Sequence, residues 1–103
     1  MKVSIITVSF NSADTIKDTI KSVIDQDHKN IEHIIIDGGS QDDTLQIINK
    51  YKDKIDLIIS EPDNGIYNAM NKGIMLATGD IIGILNSDDF YIDNGVVSKI
   101  VSA

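Results

Sequence analysis

Two adjacent carboxylates, Asp88 and Asp89, follow an apolar run in the stretch ILNSDDFY. Two like charges side by side repel each other, and both stay ionised most easily when a cation lies between them and a second anion. Mg²⁺ prefers oxygen ligands and is usually held by one or two carboxylates together with substrate phosphates. The pair therefore predicts a site for Mg²⁺ or Mn²⁺, while an ordinary turn or helix cap is the alternative interpretation.

Short β-branched apolar runs alternate with segments whose apolar residues recur at helical spacing. The runs predict strands over residues 3–9, 31–37, 55–60 and 80–85. The periodic segments predict helices over residues 13–26 and 66–77, and a further helix that contains Leu45, Ile48 and Tyr51. This order is typical of an α/β fold with a parallel sheet covered on both faces, which explains why the strands are continuously apolar.

Polar residues follow each predicted strand, and in parallel sheets ligands bind outside the carboxyl ends of the strands. Asp37, at such an end, could accept hydrogen bonds from a base or a ribose. Lys72 is one of few basic residues near this acidic edge and could contact an anion, although a solvated helix lysine fits equally well. We therefore expect one site, formed by residues 9–11, 37–40, 61–65 and 86–89.

The composition narrows the class of protein. The 103 residues have the length of one small domain, and 9 Lys and Arg against 16 Asp and Glu give a formal charge of −7. This charge disfavours nucleic acid or an anionic membrane as the main partner. No apolar run approaches the roughly 18 residues of a membrane span. The absence of cysteine fits a reducing compartment, and His28 and His33 lack the companions that a metal site needs.

The phosphate-binding loops with known signatures are missing. No G-x-G-x-x-G follows the first strand, and no G-x-x-x-x-G-K-[ST] occurs in the chain.

The last residues, VVSKIVSA, carry the apolar stripe of a helix that stops without a cap. We therefore expect the chain to be truncated at its C-terminus.

Four motifs in order, ITVSFNSA, EHIIIDGGSQDDT, SEPDNGIYNAMNKGI and ATGDIIGILNSDD, resemble the nucleotide-binding half of the family 2 glycosyltransferases. This is the large inverting group with the GT-A fold, and the resemblance extends from Val3 to about Tyr91. It implies a Rossmann-like GT-A nucleotide-binding half with about four mostly parallel strands and flanking helices. The chain would be the N-terminal nucleotide-sugar-binding part of a longer transferase domain.

The resemblance also implies roles for individual residues. Asp89 would coordinate a divalent metal on the sugar-nucleotide diphosphate, and Asp88 would contact the ribose or the metal. Asp37 matches the acidic position after the second strand, but Gly38 stands where many members have a second aspartate that contacts the base. Asn68 stands where relatives often have Asp. One side of the nucleobase site would be formed by the loop Val8, Ser9, Phe10 and Asn11.

The expected function follows from the same resemblance. The parent enzyme would transfer a sugar, with inversion, from a nucleotide-diphosphate sugar, UDP-linked, to a glycan or lipid-linked acceptor in polysaccharide biosynthesis, on the cytoplasmic side. The general base lies beyond the metal motif in relatives, so no catalytic residue is expected before the chain ends at Ala103. A non-catalytic nucleotide or metal-binding module is the alternative. A nucleotidyltransferase or a response-regulator-like domain fits less well, because VSFNSAD has no basic residue and no lysine follows the last strand.

Overall fold

The structure is a computed structural model that describes residues 1–62 and 66–102, with the side chains of residues 66 and 67 left out. The strands are β1 (Val3–Ser9), β2 (Ile31–Asp37), β3 (Leu57–Ser60) and β4 (Ile81–Ile84). The helices are α1 (Ile16–Ile24), α2 (Thr44–Lys50), α3 (Ile66–Leu76) and α4 (Val96–Ser102), and a 3₁₀ turn spans Lys52–Lys54. Of the expected site segment 61–65, residues 63–65 lie outside the described residues.

The strands form one parallel sheet in the order β3-β2-β1-β4. The register places Ser9 beside Asp37 and Asp37 beside Ser60. The carboxyl ends of the three strands β1, β2 and β3 therefore finish at one level. This alignment brings their polar end residues into hydrogen-bonding range, and the predicted α/β fold class is confirmed.

Helices cover the two faces of the sheet unequally. On one face, α1 and α2 pack their isoleucines around Ile35, while α4 adds Val97 beside Ile5. On the other face α3 covers the sheet centre, where Ala69 packs against Ile34 and Ile36. These apolar contacts are the main source of stability, at roughly 25 cal/mol per Å² of buried apolar surface.

The prediction that helices cover both faces was wrong at β4. Ile82 and Ile84 point to the α3 face but remain 43 % and 44 % exposed. The reason is the strand order, since α3 lies over β1 and β2 while β4 is at the edge. Continuous apolar sequence alone does not reveal which strand is at the edge.

Several predicted boundaries also differ from the observed ones, by one to three residues, and the backbone hydrogen bonds explain two of these differences. The first helix begins at Ile16 rather than residue 13, because Ser12 to Thr15 form a turn in which both Thr15 and Ile16 donate to the Ser12 carbonyl. The third strand begins at Leu57 rather than Ile55. The Ile55 amide closes the 3₁₀ turn on Lys52, and its side chain packs into the core between α1 and α2.

Gly73 marks the closest approach of α3 to β1. A Cβ at this position would lie 2.4 Å from Cγ2 of Ile6, a side chain with no exposed surface. We expect Gly73→Ala to lower the free energy of unfolding by about 1 to 3 kcal/mol, because overpacking outweighs the better helix propensity of alanine. Urea unfolding measures the change. The control Asn71→Ala, at an exposed position of α3, should leave stability unchanged or slightly higher, and an equally stable Gly73→Ala would contradict the close approach.

Candidate functional site

The loops after β1 and β2 are joined at the carboxyl edge of the sheet. The Asn11 amide donates to Ser40 Oγ at 2.8 Å, and the Gln41 amide donates to Asn11 Oδ1 at 2.9 Å. Asn11 adopts a positive φ of 47°, a conformation that Asn tolerates better than most residues. This conformation lets both its backbone and its side chain reach the second loop, so Asn11 is a connecting residue of the edge.

The loop after β2 also meets the end of β3. Gly39 has a φ of 84°, and a Cβ there would lie 3.3 Å from the Pro62 nitrogen. The Glu61 amide donates to the Asp37 carbonyl at 3.0 Å. Glycine is required at position 39 both for the backbone conformation and for the close approach to Pro62.

Asp37 lies at the centre of these loops and is fully buried. Its carboxylate accepts hydrogen bonds from the hydroxyls of Ser9, Ser40 and Ser60, at 2.8, 2.6 and 2.9 Å. The backbone amides of Gly39 and Ser40 donate to it as well, at 3.1 and 2.8 Å. Two carboxylate oxygens offer about four lone-pair sites, so these internal donors occupy the acceptor capacity. In this geometry Asp37 ties the three strand ends together.

The hydrogen bonds around Asp37 determine its charge state. Burial alone would raise its pKa, but the hydrogen bonds from Ser40, Ser9 and Ser60 outweigh burial and lower the pKa below the ordinary value of 3.8. Asp37 is therefore an ionised internal group at neutral pH. Its negative charge is compensated by five aimed donors instead of a basic side chain.

Asp88 and Asp89 have the opposite surroundings. Both side chains are exposed, and no hydrogen bond or ion pair joins either carboxylate to another residue within 1–62 and 66–102. Two positions earlier, Asn86 Oδ1 is buried and has no partner in the described part of the chain. Carboxylate oxygens without a partner among the described residues suit a hard divalent cation.

The remaining predicted site residues differ in what they expose. Phe10 is 60 % exposed and Asn11 is also exposed, whereas Ser9 is buried against Asp37. Val8 packs its side chain toward α3 and offers its carbonyl, which accepts from the Ser87 amide at 3.2 Å. Lys72 Nζ lies 2.9 Å from Glu61 Oε1, so an anion near this lysine would compete with Glu61.

Sequence reasoning missed a row of polar residues on α1 and on the turns that flank this helix. Their side chains contact the segment that follows β4, which carries Asp88 and Asp89. The row is formed by Ser12, Thr15, Thr19, Ser22 and Gln26, at alternating spacings of three and four residues. This spacing is the signal that could have identified a buried helix face, but the prediction counted only apolar residues.

No group of three or more His, Cys, Asp or Glu side chains lies together in residues 1–62 and 66–102 in a way that could hold a metal ion. None of the helices described is both long and apolar enough to cross a membrane.

Comparison with known proteins places the chain in a family. The family model described as Glycosyl transferase family 2 matches residues 4–103. The glucosyltransferase WfaP of Escherichia coli, named UDP-Glc:alpha-D-GlcNAc-diphosphoundecaprenol beta-1,3-glucosyltransferase, is 41 % identical over 99 residues, which are 95 % of this chain and 39 % of WfaP. The putative teichuronic acid biosynthesis glycosyltransferase TuaG of Bacillus subtilis is 40 % identical over 90 residues, 84 % of this chain and 36 % of TuaG.

A solved structure gives the same result for the fold. The crystal structure of Staphylococcus aureus TarS 1-349 in complex with UDP-GlcNAc matches 99 % of this chain and 30 % of that one, with a TM-score of 0.90 and 28 % identity. The sheet, its flanking helices and these matches define an α/β fold of the GT-A type. The chain belongs to the family 2 glycosyltransferases. It spans 39 % of the length of the first curated relatives that it matches.

Proposed function

We propose that this chain is the donor-binding part of an inverting glycosyltransferase that takes a sugar from a nucleotide-diphosphate sugar, UDP-linked, and transfers it to a glycan or lipid-linked acceptor. The single observation that carries the proposal is the exposed carboxylate pair at the carboxyl edge of the sheet, Asp88 and Asp89, for which residues 1–62 and 66–102 provide no partner. The donor named for WfaP and the UDP-GlcNAc bound to TarS support a UDP-sugar. The names of WfaP and TuaG support an acceptor of the cell envelope.

Asp89, with Asp88 beside it, would hold Mg²⁺ or Mn²⁺ from the protein side. The residues fit this role because their oxygens are free among the described residues, while two carboxylates leave positions open for the oxygens of a diphosphate. When bound, the ion supplies positive charge to the diphosphate as negative charge grows on it during transfer. By the family resemblance, Asp88 would contact the ribose or the metal.

The nucleobase would lie against the loop after β1. Phe10 offers an exposed aromatic face for stacking, and Asn11 offers exposed polar atoms next to it. Ser9 and Asp37 would act behind this surface, because their side chains bond to each other and hold the loop ends. Lys72 would reach a phosphate only after leaving Glu61.

The remaining parts of the activity would lie in the rest of the protein. An inverting transfer needs a general base within hydrogen-bond reach of the acceptor hydroxyl. We assign the base and the acceptor site to the part of the protein outside this chain, since the chain spans 39 % of the length of the first curated relatives that it matches. The whole enzyme is proposed to act on the cytoplasmic side of the membrane. The absence of cysteine in this chain agrees with a reducing compartment.

The test is a calorimetric titration of UDP into the chain with and without Mn²⁺. We expect Mn²⁺ to strengthen UDP binding, and Asp89→Ala to remove at least about tenfold of that gain, because even outer partners of a metal site are worth 10- to 100-fold in affinity. Circular dichroism confirms that each variant is folded.

Asp53→Ala is the matched control, since it removes the same charge from an exposed position in the turn before β3, at the opposite edge. It should bind UDP and Mn²⁺ like the wild type. Binding that is independent of Mn²⁺, or an Asp89→Ala variant that keeps the whole gain, would contradict the metal role of the pair.

A further inference from the structure

The polar row on α1 forms a continuous contact with the segment that follows β4. Ser12 and Ser87 share a hydrogen bond between their hydroxyls at 2.7 Å. Ser22 Oγ accepts from the Tyr91 amide at 3.1 Å. Gln26 donates to the Asp93 carbonyl at 2.7 Å and accepts from the Val97 amide at 3.0 Å. The segment therefore runs along α1 and is held at each turn of the helix.

The two central members of the row contact the backbone of the carboxylate pair. Thr15 Oγ1 lies 2.7 Å from the Ser87 carbonyl oxygen. Thr19 Oγ1 lies 3.0 Å from the same oxygen and 2.5 Å from the Asp89 carbonyl oxygen, and Thr19 has no exposed surface. A threonine hydroxyl has one proton to donate. Thr15 donates its proton to the Ser87 carbonyl, so Thr19 can donate its own to the Asp89 carbonyl.

These contacts fix every peptide group around the pair. The group between Ser87 and Asp88 is held through its carbonyl by Thr15. The next group is held through the Asp89 amide, which donates to the Asn86 carbonyl at 2.9 Å. The third group is held through the Asp89 carbonyl by Thr19. The directions in which the Asp88 and Asp89 side chains leave the backbone are therefore set, although the carboxylates themselves are exposed.

We propose that Thr15 and Thr19 are positioning residues for the metal site, and that their hydroxyls hold the backbone on both sides of Asp88 and Asp89. This inference rests on the proposed function for its consequence, since two carboxylates must point to one ion before the nucleotide binds. A site held in advance loses less conformational entropy on binding. A purely apolar helix face would pack the segment but would leave the two carbonyl oxygens without donors.

The test compares Thr19→Val, which keeps the shape and removes the hydroxyl, with Thr19→Ser, which keeps the hydroxyl. The matched control is Thr7→Val, because Thr7 is also fully buried and its hydroxyl bonds to His33 Nε2, away from the pair. Two quantities are measured on each variant: the hydrogen-exchange rate of the Asp89 amide, and the gain in UDP affinity that Mn²⁺ provides. Metal-free UDP affinity is the internal reference.

We expect Thr19→Val to raise the Asp89 exchange rate about tenfold or more and to remove roughly tenfold of the Mn²⁺ gain, with metal-free UDP affinity unchanged. Thr19→Ser should restore both quantities, and Thr7→Val should change neither. Unchanged exchange in Thr19→Val, a serine variant that behaves like valine, or an equal effect of Thr7→Val would overturn the proposal. A wild type without any Mn²⁺ gain would instead contradict the proposed function, and the exchange rates would still decide whether the hydroxyls hold the backbone.

Discussion

Asp37→Asn is expected to lower the free energy of unfolding by about 3 kcal/mol at pH 7, with little change in size or shape of the side chain. The amide keeps one acceptor oxygen but turns an NH₂ group toward donors that need an acceptor. The carboxylate is fully buried and accepts from three serine hydroxyls and two backbone amides. Donors left unpaired in the interior each cost about 1 to 3 kcal/mol, and they compete for the single remaining oxygen.

The pH dependence of this effect has a definite sign. The pKa of Asp37 is lower in the folded chain than its ordinary value of 3.8. The stability that the ionised group contributes is therefore fully present above about pH 4 and is lost as the pH falls through the folded pKa. The difference between wild type and Asp37→Asn should shrink below about pH 4.

Urea unfolding over a range of pH measures both effects. Asp43→Asn is the control, because it removes the same charge from an exposed position in the following loop, where the side chain makes no capping hydrogen bond. It should change stability by less than about 0.5 kcal/mol. If the two variants were equally stable, the carboxylate would not join the strand ends as the structure shows.

The sequence predicted the position of Asp37 but not its surroundings. A carboxylate at a strand end with two glycines after it suggested an open acceptor. Its donors Ser9 and Ser60 are 28 and 23 residues away, and they reach it because the parallel register puts them level with it on the neighbouring strands. Register is a tertiary property, and no local pattern in the serines reveals it.

The same limit applies to the elements. Apolar periodicity predicted β1 and β2 with their observed bounds, because both strands are central and buried on both faces. It failed for the coverage of β4, which depends on where α3 packs. It also missed Thr15 and Thr19, since buried polar residues reduce the apolar signal of a helix face while their hydrogen bonds make that face part of the interior.

Lowering the pH is expected to reduce the free energy of unfolding at pH values above those at which carboxylates ordinarily titrate, because of His33. This histidine on β2 is 1 % exposed, and burial lowers its pKa from the ordinary value of 6.5 to about 4. Its Nε2 lies 2.8 Å from Thr7 Oγ1, while Nδ1 has no partner in the described part of the chain. The ring partner recorded in the described part of the chain is a neutral hydroxyl, and burial makes a charged imidazole costly, so the folded state keeps the ring neutral.

The direction of the effect follows from the two pKa values. Between about pH 6.5 and pH 4 the unfolded chain binds a proton that the folded chain does not, so stability is full above this window and falls as the pH decreases through it. A shift of this size corresponds to roughly 3 kcal/mol of unfolding free energy.

We expect urea midpoints to fall across the window in wild type and to stay nearly flat in His33→Leu, whatever the stability of that variant at pH 7. The control His28→Leu removes the other histidine, whose ring contacts only the Met1 carbonyl among the recorded hydrogen bonds of the described residues, and should keep the wild-type slope. A wild-type slope in His33→Leu would mean that another group carries the acid sensitivity.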